Sequence, residues 1–246
     1  MNGLRVVLAS AAAIGSGIAI WAYIEMPKAL SPDQRAVLYE TPLPQPEAPL
    51  AVFHLGHSLV GRDMPAMLAQ LAGHDHASQL GWGTPLRAHW YPDEVIQGFE
   101  TENAHTHYRD AKDALASGDY DTFVLTEMVE VEAAIDYFDS PVYLEKWVNA
   151  AREGNPETRV FLYETWHELT DPEGWLERLE ADPARYWEGV LLAKAMAGQP
   201  DAEPIYVIPA GRVIAELVQR IENGEGVDGV ASREDFFARL EDGSLD

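Results

Sequence analysis

The stretch that decides the fold covers residues 51–72 and reads AVFHLGHSLVGRDMPAMLAQLA. Residues 51–55 are a short apolar run typical of a buried strand, and residues 63–72 have the spacing of an amphipathic helix. Gly56 follows the strand, where a tight turn is needed. A strand, a glycine turn and a helix in this order predict the first unit of a parallel α/β sheet. Ser58 is then expected at the carboxyl edge of that sheet, where ligands bind in such folds.

The same alternation of short apolar runs and amphipathic stretches continues along the chain. It predicts a mostly parallel sheet, with strands at 51–55, 76–80, 122–126, 159–163 and 205–208. It predicts helices at 63–72, 110–117, 141–153, 172–180, 183–197 and 212–223. Several of these helices begin with Asp-Pro or Ser-Pro, which suits a capping residue followed by proline in the first turn.

The chain begins with a segment suited to export. An uncharged run, VVLASAAAIGSGIAIWAYI, covers residues 6–24 after Arg5, and it is close to the length that crosses a bilayer. We expect residues 1–26 to be a hydrophobic signal anchor or a cleaved signal peptide. The remainder then faces the periplasm or another extracytoplasmic space, or is secreted. The proline-rich residues 27–50 predict an extended linker, and residues 51–246 the folded domain.

Composition and charge exclude several classes of function. The 41 acidic and 17 basic residues give a net charge of −24, which argues against nucleic acid as a partner. It also argues against adhesion to anionic lipid headgroups, so a membrane is expected to be contacted through the N-terminal segment only. The chain has no cysteine, which excludes disulfides, zinc–thiolate sites and cysteine nucleophiles.

The block Gly56-His57-Ser58-Leu59 resembles the GDSL block of the SGNH serine hydrolases, with His57 in place of the usual Asp. Its position directly after the first strand is also that of the family. The resemblance implies a three-layer, flavodoxin-like α/β sandwich across residues 51–246. It further implies hydrolysis of an ester on a small molecule or carbohydrate, with no cofactor.

The resemblance also implies roles for individual residues. Ser58 matches the catalytic nucleophile, and its amide is one oxyanion donor. A glycine amide is the second, for which we favour Gly83 over Gly81. The family's Asn donor should follow the strand at 122–126, where this chain has Glu127 instead. A carboxylate donates no hydrogen bond unless it is protonated, so Glu127 is expected to orient a base or to bind a substrate hydroxyl.

The general base is the missing part of the pattern. The family takes it from a late Asp-x-x-His block, and no histidine follows His167. We expect the sequence to be truncated, with the base beyond Asp246. His167 follows the fourth strand, and it is a candidate for the base, for a substrate-pocket residue or for a plain loop histidine. Trp166, together with Trp82 and Trp90, is a candidate for stacking on a sugar ring or for packing.

Two further patterns involve histidine pairs and neighbouring carboxylates. His74-x-His76 and His105-x-His107 are reminiscent of metal ligands but lack a carboxylate at a diagnostic spacing, so no metal site is predicted. Glu130 and Glu132 are interpreted as a solvated face rather than a glycosidase pair. The sequence therefore favours a cell-envelope serine esterase or acyl hydrolase. The alternative is a non-catalytic module of the same fold that binds a glycan or a partner.

Overall fold

In a computed structural model, the chain forms an α/β sandwich around one parallel sheet. The structure describes residues 29–197, 203–226 and 229–237, together with Arg239 and Gly243. The five strands of the sheet lie in the order β2-β1-β3-β4-β5, and all of their pairings are parallel. They are β1 (Ala51–Gly56), β2 (Asp75–Leu80), β3 (Thr122–Leu125), β4 (Arg159–Glu164) and β5 (Ile205–Pro209). This is the flavodoxin-like strand order, so the predicted fold class and all five predicted strands are confirmed.

Helices cover both faces of the sheet. They are α1 (Pro32–Leu38), α2 (Asp63–Ala72), α3 (Leu86–Trp90), α4 (Phe99–Glu102), α5 (Ala111–Ser117), α6 (Val131–Tyr137), α7 (Ser140–Gly154), α8 (Trp175–Asp182), α9 (Ala193–Ala197) and α10 (Ala210–Glu222). A π-helical stretch over Pro183–Leu192 joins α8 to α9, and a 3₁₀ turn covers Arg233–Phe236.

The core has two layers, one on each face of the sheet, because successive side chains along a strand point to opposite faces. In β1, Phe53 and Leu55 belong to a large cluster that includes Trp147 of α7 and Trp187. Val52 of the same strand belongs to a smaller cluster on the other face. Because successive side chains of a strand point to opposite faces, both faces of β1 are apolar and both need a covering layer.

One predicted segment differs from the expectation of an extended linker. Residues 32–38 form helix α1, which has a capping box at Ser31 and proline in its first turn. The backbone amide of Leu30 donates to the Ala193 carbonyl at 3.0 Å, and the Arg35 guanidinium donates to the Glu188 carbonyl at 2.7 Å. This part of the segment therefore packs on the folded body. The predicted N-terminal hydrophobic segment lies outside the described residues.

None of the described helices is both long enough and apolar enough to cross a bilayer.

A second difference concerns α8, which begins at Trp175 although the pattern predicted residue 172. Gly174 has a φ of 92°, a value that ends helical geometry for the residues before it. The Asp171 side chain accepts from the Glu173 amide at 2.9 Å, which stabilises the turn there.

Candidate functional site

The exposed hydroxyl of Ser58 lies on a turn just after β1. The His57 carbonyl closes this turn by accepting from the amides of Val60 at 2.9 Å and Gly61 at 3.2 Å. Ser58 is exposed, and within the described ranges neither its amide nor its hydroxyl has a hydrogen-bond partner. Because β1 lies inside the sheet, the turn places a free hydroxyl and a free amide at the carboxyl edge.

Close packing makes a glycine necessary at the base of this turn. A Cβ on Gly56 would lie 2.7 Å from the Thr126 methyl group and 2.9 Å from a Val60 methyl group. Thr126 is itself fixed, since its hydroxyl donates to the Tyr163 carbonyl at 2.7 Å. The glycine of the Gly-His-Ser-Leu block therefore lets the turn pack against the end of β3.

His57 is buried beneath the turn and both of its ring nitrogens are engaged. Nδ1 accepts from the Leu59 amide at 3.3 Å, so the proton is on Nε2, which donates to the Glu127 carbonyl at 2.9 Å. Burial lowers the pKa of His57 to about 4. His57 is therefore a neutral clamp on the turn, and it has no nitrogen free to accept a proton from Ser58.

His89 is a second buried histidine beneath the turn, and the sequence analysis did not single it out. Oε1 of Gln79 accepts from the Ala111 amide at 2.8 Å, which identifies it as the amide oxygen. Nε2 of Gln79 therefore donates to His89 Nδ1 at 3.0 Å. His89 Nε2 then donates to the Gly56 carbonyl at 3.0 Å. Burial lowers the pKa of His89 to about 4, and this ring too is neutral.

Glu127 lies in the same buried layer. Its Oε1 accepts from the amides of Leu86 at 3.1 Å and Met128 at 2.8 Å, which ties the segment after β2 to the end of β3. Burial raises the pKa of Glu127 to about 7, although these hydrogen bonds lower it. The side chain is fully buried, so it anchors the site from beneath rather than lining its surface. We call His57, Gln79, His89 and Glu127 the turn network.

The two candidate oxyanion glycines differ in their amides. The Gly81 amide donates to the Gly56 carbonyl at 3.2 Å, and a Cβ there would collide with Ile96 and Thr84. Gly83 is exposed, has a φ of 55° and would admit a Cβ without contact. The Gly81 amide is thus already engaged, whereas the Gly83 amide has no hydrogen-bond partner among the described residues, and the oxyanion role of Gly83 stays a prediction.

His167 follows β4 at the same edge and lies in a charged cluster. Its Nε2 is 2.9 Å from Asp182 Oδ2, and its Nδ1 is 3.7 Å from Glu130 Oε1. Arg178 contacts Asp171 at 2.8 Å, Asp182 at 3.1 Å and Glu130 at 3.2 Å. We call Glu130, His167, Asp171, Arg178 and Asp182 the His167 cluster. Glu130 was predicted to lie on a solvated face; its side chain is half exposed, and it also contacts His167 and Arg178 in this cluster.

The three tryptophans that were candidates for stacking on a sugar ring lie in three different environments. Trp82 is 50% exposed beside the Gly83 turn, its ring lies against Gly98, and its indole nitrogen donates to Glu102 at 2.8 Å. Trp166 is half-buried between two core clusters. Trp90 packs edge-on against Trp147 at 4.8 Å. Of the three, Trp82 presents the most ring surface to a ligand.

The remaining histidine motifs meet away from this edge. The rings of His76 and His107 stack with centroids 4.1 Å apart, and His105 lies 6.4 Å from His107. Because His76 is the second residue of β2, this group is at the amino end of that strand. His54 of β1 is fully buried nearby, and neither of its ring nitrogens has a hydrogen-bond partner among the described residues.

The parallel sheet therefore brings Ser58, Gly83, Glu127 and His167 to one edge, as their positions after strands predicted. It does not bring a base to Ser58, since no described histidine nitrogen lies within hydrogen-bonding distance of its hydroxyl. His89, Gln79 and Asp182 were missed. The i, i+4 spacing of Arg178 and Asp182 was the available signal for the charged cluster, but the predicted helix stopped at residue 180.

Comparison with protein-family models gives no match, and comparison with curated proteins gives none. Comparison with solved structures gives a match to the crystal structure of a carbohydrate esterase family 2 enzyme plus carbohydrate binding domain from Corynascus thermopiles (Myceliophthora fergusii). The identity is 15% and the TM-score is 0.33, and the match covers 53% of this chain and 50% of that one. The chain thus spans about half the length of that structure, and at this TM-score the likeness supports no inference about activity.

Proposed function

We propose that the chain is a serine ester hydrolase in which Ser58 attacks the acyl carbonyl of a small or carbohydrate ester. The observation that carries this proposal is the exposed, unpartnered Ser58 on a glycine turn at the carboxyl end of an interior parallel strand. The amides of Ser58 and Gly83 hold the oxyanion that forms when the hydroxyl attacks.

The turn network supports this mechanism by fixing the nucleophile. His57 and His89 are neutral and fully buried, and their hydrogen bonds hold the backbone on either side of Gly56. A nucleophile held in one geometry reacts faster than one that samples many. The mechanism also requires a general base, since an unactivated serine hydroxyl is a poor nucleophile. The resemblance assigns that base to a late Asp-x-x-His block, and in this sequence no histidine follows His167.

The second candidate is a binding module that does not turn over its ligand. It is favoured by the engagement of both nitrogens of His57 and by the half-exposed ring of Trp82 beside the turn. Saturable binding of an oligosaccharide, lost in Trp82→Ala and accompanied by no ester hydrolysis, is the result expected for this function. For either function we propose export or membrane tethering through residues 6–24, which cell fractionation tests.

Steady-state hydrolysis of a short-chain p-nitrophenyl ester by the full protein tests the enzymatic proposal. We expect Ser58→Ala to lower kcat/KM by about 10³-fold or more, because the nucleophile is removed. Ser117→Ala is the matched control, since Ser117 lies at the end of α5 and bonds its own helix at Ala114. Equal activity of Ser58→Ala and wild type would exclude Ser58 as the nucleophile.

A further inference from the structure

Among the described residues, the Nδ1 atom of His167 has no hydrogen-bond partner, although only 3% of the side chain is exposed. The hydrogen bond to Asp182 uses Nε2, so Nδ1 is the ring atom left for a further ligand. Nδ1 faces the carboxylate oxygen Oε1 of Glu130 at 3.7 Å. A metal ion between these two atoms would bind both of them.

Three ligand atoms converge at this point. One atom each of Glu130, His167 and Asp171 lies within 4.8 Å of the other two. The 3.7 Å between Nδ1 and Oε1 is too long for a hydrogen bond. It is close to the separation of about 3.4 Å between two ligands on a tetrahedral zinc ion.

The charges of the cluster also fit a dication. Glu130, Asp171 and Asp182 contribute three negative charges, and Arg178 contributes one positive charge. Arg178 Nη1 contacts Oε2 of Glu130 and Oδ2 of Asp171, so Oε1 of Glu130 remains directed at His167. The three carboxylates therefore outnumber the one guanidinium by two, which favours a divalent cation.

The surroundings resemble those of metal-bound histidines in general. A histidine that binds a metal through one nitrogen usually donates from the other to a carboxylate, which here is Asp182. Glu130 is 51% exposed, so an ion has a path from solvent to the buried nitrogen.

We propose that Glu130, His167 and Asp171 bind one divalent transition-metal ion, with Zn²⁺ held more tightly than Mn²⁺. One imidazole and two carboxylates suit these ions, whereas Ca²⁺ takes six to eight oxygen ligands. The ion joins the start of α6, where Glu130 is the capping residue, to the segment between β4 and α8. This site is independent of the proposed ester hydrolysis.

Calorimetric titration of the metal-free full chain with ZnCl₂ tests the proposal. We expect one saturable site, and Glu130→Gln is expected to weaken Zn²⁺ binding by at least about tenfold. At a hundredfold excess over Kd, Zn²⁺ should raise the melting temperature by roughly 5 to 10 °C. Asp171→Asn should behave like Glu130→Gln, so the test does not depend on one variant.

The histidines at the amino end of β2 supply the control, because they can also attract Zn²⁺. The double variant His76→Gln/His107→Gln should keep the site and its affinity. The proposal is overturned if wild type shows no saturable binding, or if Glu130→Gln and Asp171→Asn bind as tightly as wild type. It is also overturned if the double histidine variant abolishes binding.

Discussion

The turn network and the His167 cluster lie at the same edge of one sheet, and their buried histidines are partnered in opposite ways. In the turn network, His57 and His89 are neutral, and each ring nitrogen has a hydrogen-bond partner. In the His167 cluster, Arg178 contacts three carboxylates, and one histidine nitrogen has no hydrogen-bond partner among the described residues.

This difference indicates what each region is built to do. Neutral histidines whose two ring nitrogens are both hydrogen-bonded hold a backbone in place with little dependence on salt or counter-ions. Buried charges instead require opposite charges nearby, and a cluster with unequal numbers of the two signs favours binding of a counter-ion. The first arrangement suits the support of a nucleophile, and the second suits the binding of an ion.

The largest effect is expected from removing the guanidinium group of Arg178 from the His167 cluster. Arg178→Met leaves the nearly buried carboxylates of Asp171 and Asp182 without their guanidinium partner. We expect a loss of about 3 to 5 kcal/mol in the free energy of unfolding, measured by urea denaturation. Arg220→Met is the matched control, because its ion pair with Glu216 is exposed and contributes at most about 1 kcal/mol. Similar losses in the two variants would contradict the description of the cluster as buried.

A smaller effect is expected from acid on the turn network. The pKa of His89 is about 4 in the folded protein, below its ordinary value of 6.5. Between pH 4 and pH 6.5, this histidine is therefore protonated in the unfolded chain but not in the folded one. Stability from His89 is therefore complete above pH 6.5 and is lost as the pH falls towards 4. The loss is about 3 kcal/mol for this residue.

Urea denaturation of wild type and His89→Gln across pH 4 to 7 measures this contribution. The variant is less stable at pH 7 because its hydrogen bonds differ, but its stability should fall with acid by about 3 kcal/mol less than that of wild type. Parallel curves for the two proteins would show that His89 is not held neutral.

The last effect concerns Glu127; it is similar in size to that of His89 and has the opposite sign. Its folded pKa of about 7 lies above the ordinary 4.5, so the fold binds an extra proton between these values. Glu127 therefore weakens the fold above pH 7, and the penalty disappears as the pH falls to 4.5. Glu127→Gln should be more stable than wild type by about 3 kcal/mol at pH 8, and the difference should almost vanish at pH 4.5. A constant difference between the two proteins across this range would contradict the raised pKa.

The fold was predictable because four of the five strands are apolar runs closed by turn signals, whereas β2 reads DHASQL and gives a weaker signal. Residues 51–56 and 122–125 are buried on both faces, so their side chains alone indicate interior parallel strands. The start of α8 was misplaced because the backbone conformation of Gly174 decides it, and a helical pattern does not reveal a φ of 92°. Helix α1 was missed because prolines on both sides of it suggested an extended chain.

The candidate site was predictable only where it follows a strand. The placement of Ser58, Gly83, Glu127 and His167 at one edge was predictable because parallel strands bring their carboxyl ends together, and the roles of these residues stay predictions. His89 was not found, since it lies on a short helix and reaches Gly56 across the fold. Asp182 was missed for a similar reason, because its contact with His167 joins the end of α8 to a loop fifteen residues earlier in the chain.

The identity of the residue that a fluorophosphonate modifies tests the role of Ser58 most directly. The native protein is treated with the reagent, digested, and its peptides are analysed by mass spectrometry, with urea-denatured protein as the control. The proposed function predicts a single adduct on Ser58 in the native protein and none after denaturation. Ester hydrolysis that continues without an adduct on Ser58, or an adduct on another residue that abolishes hydrolysis, would contradict it.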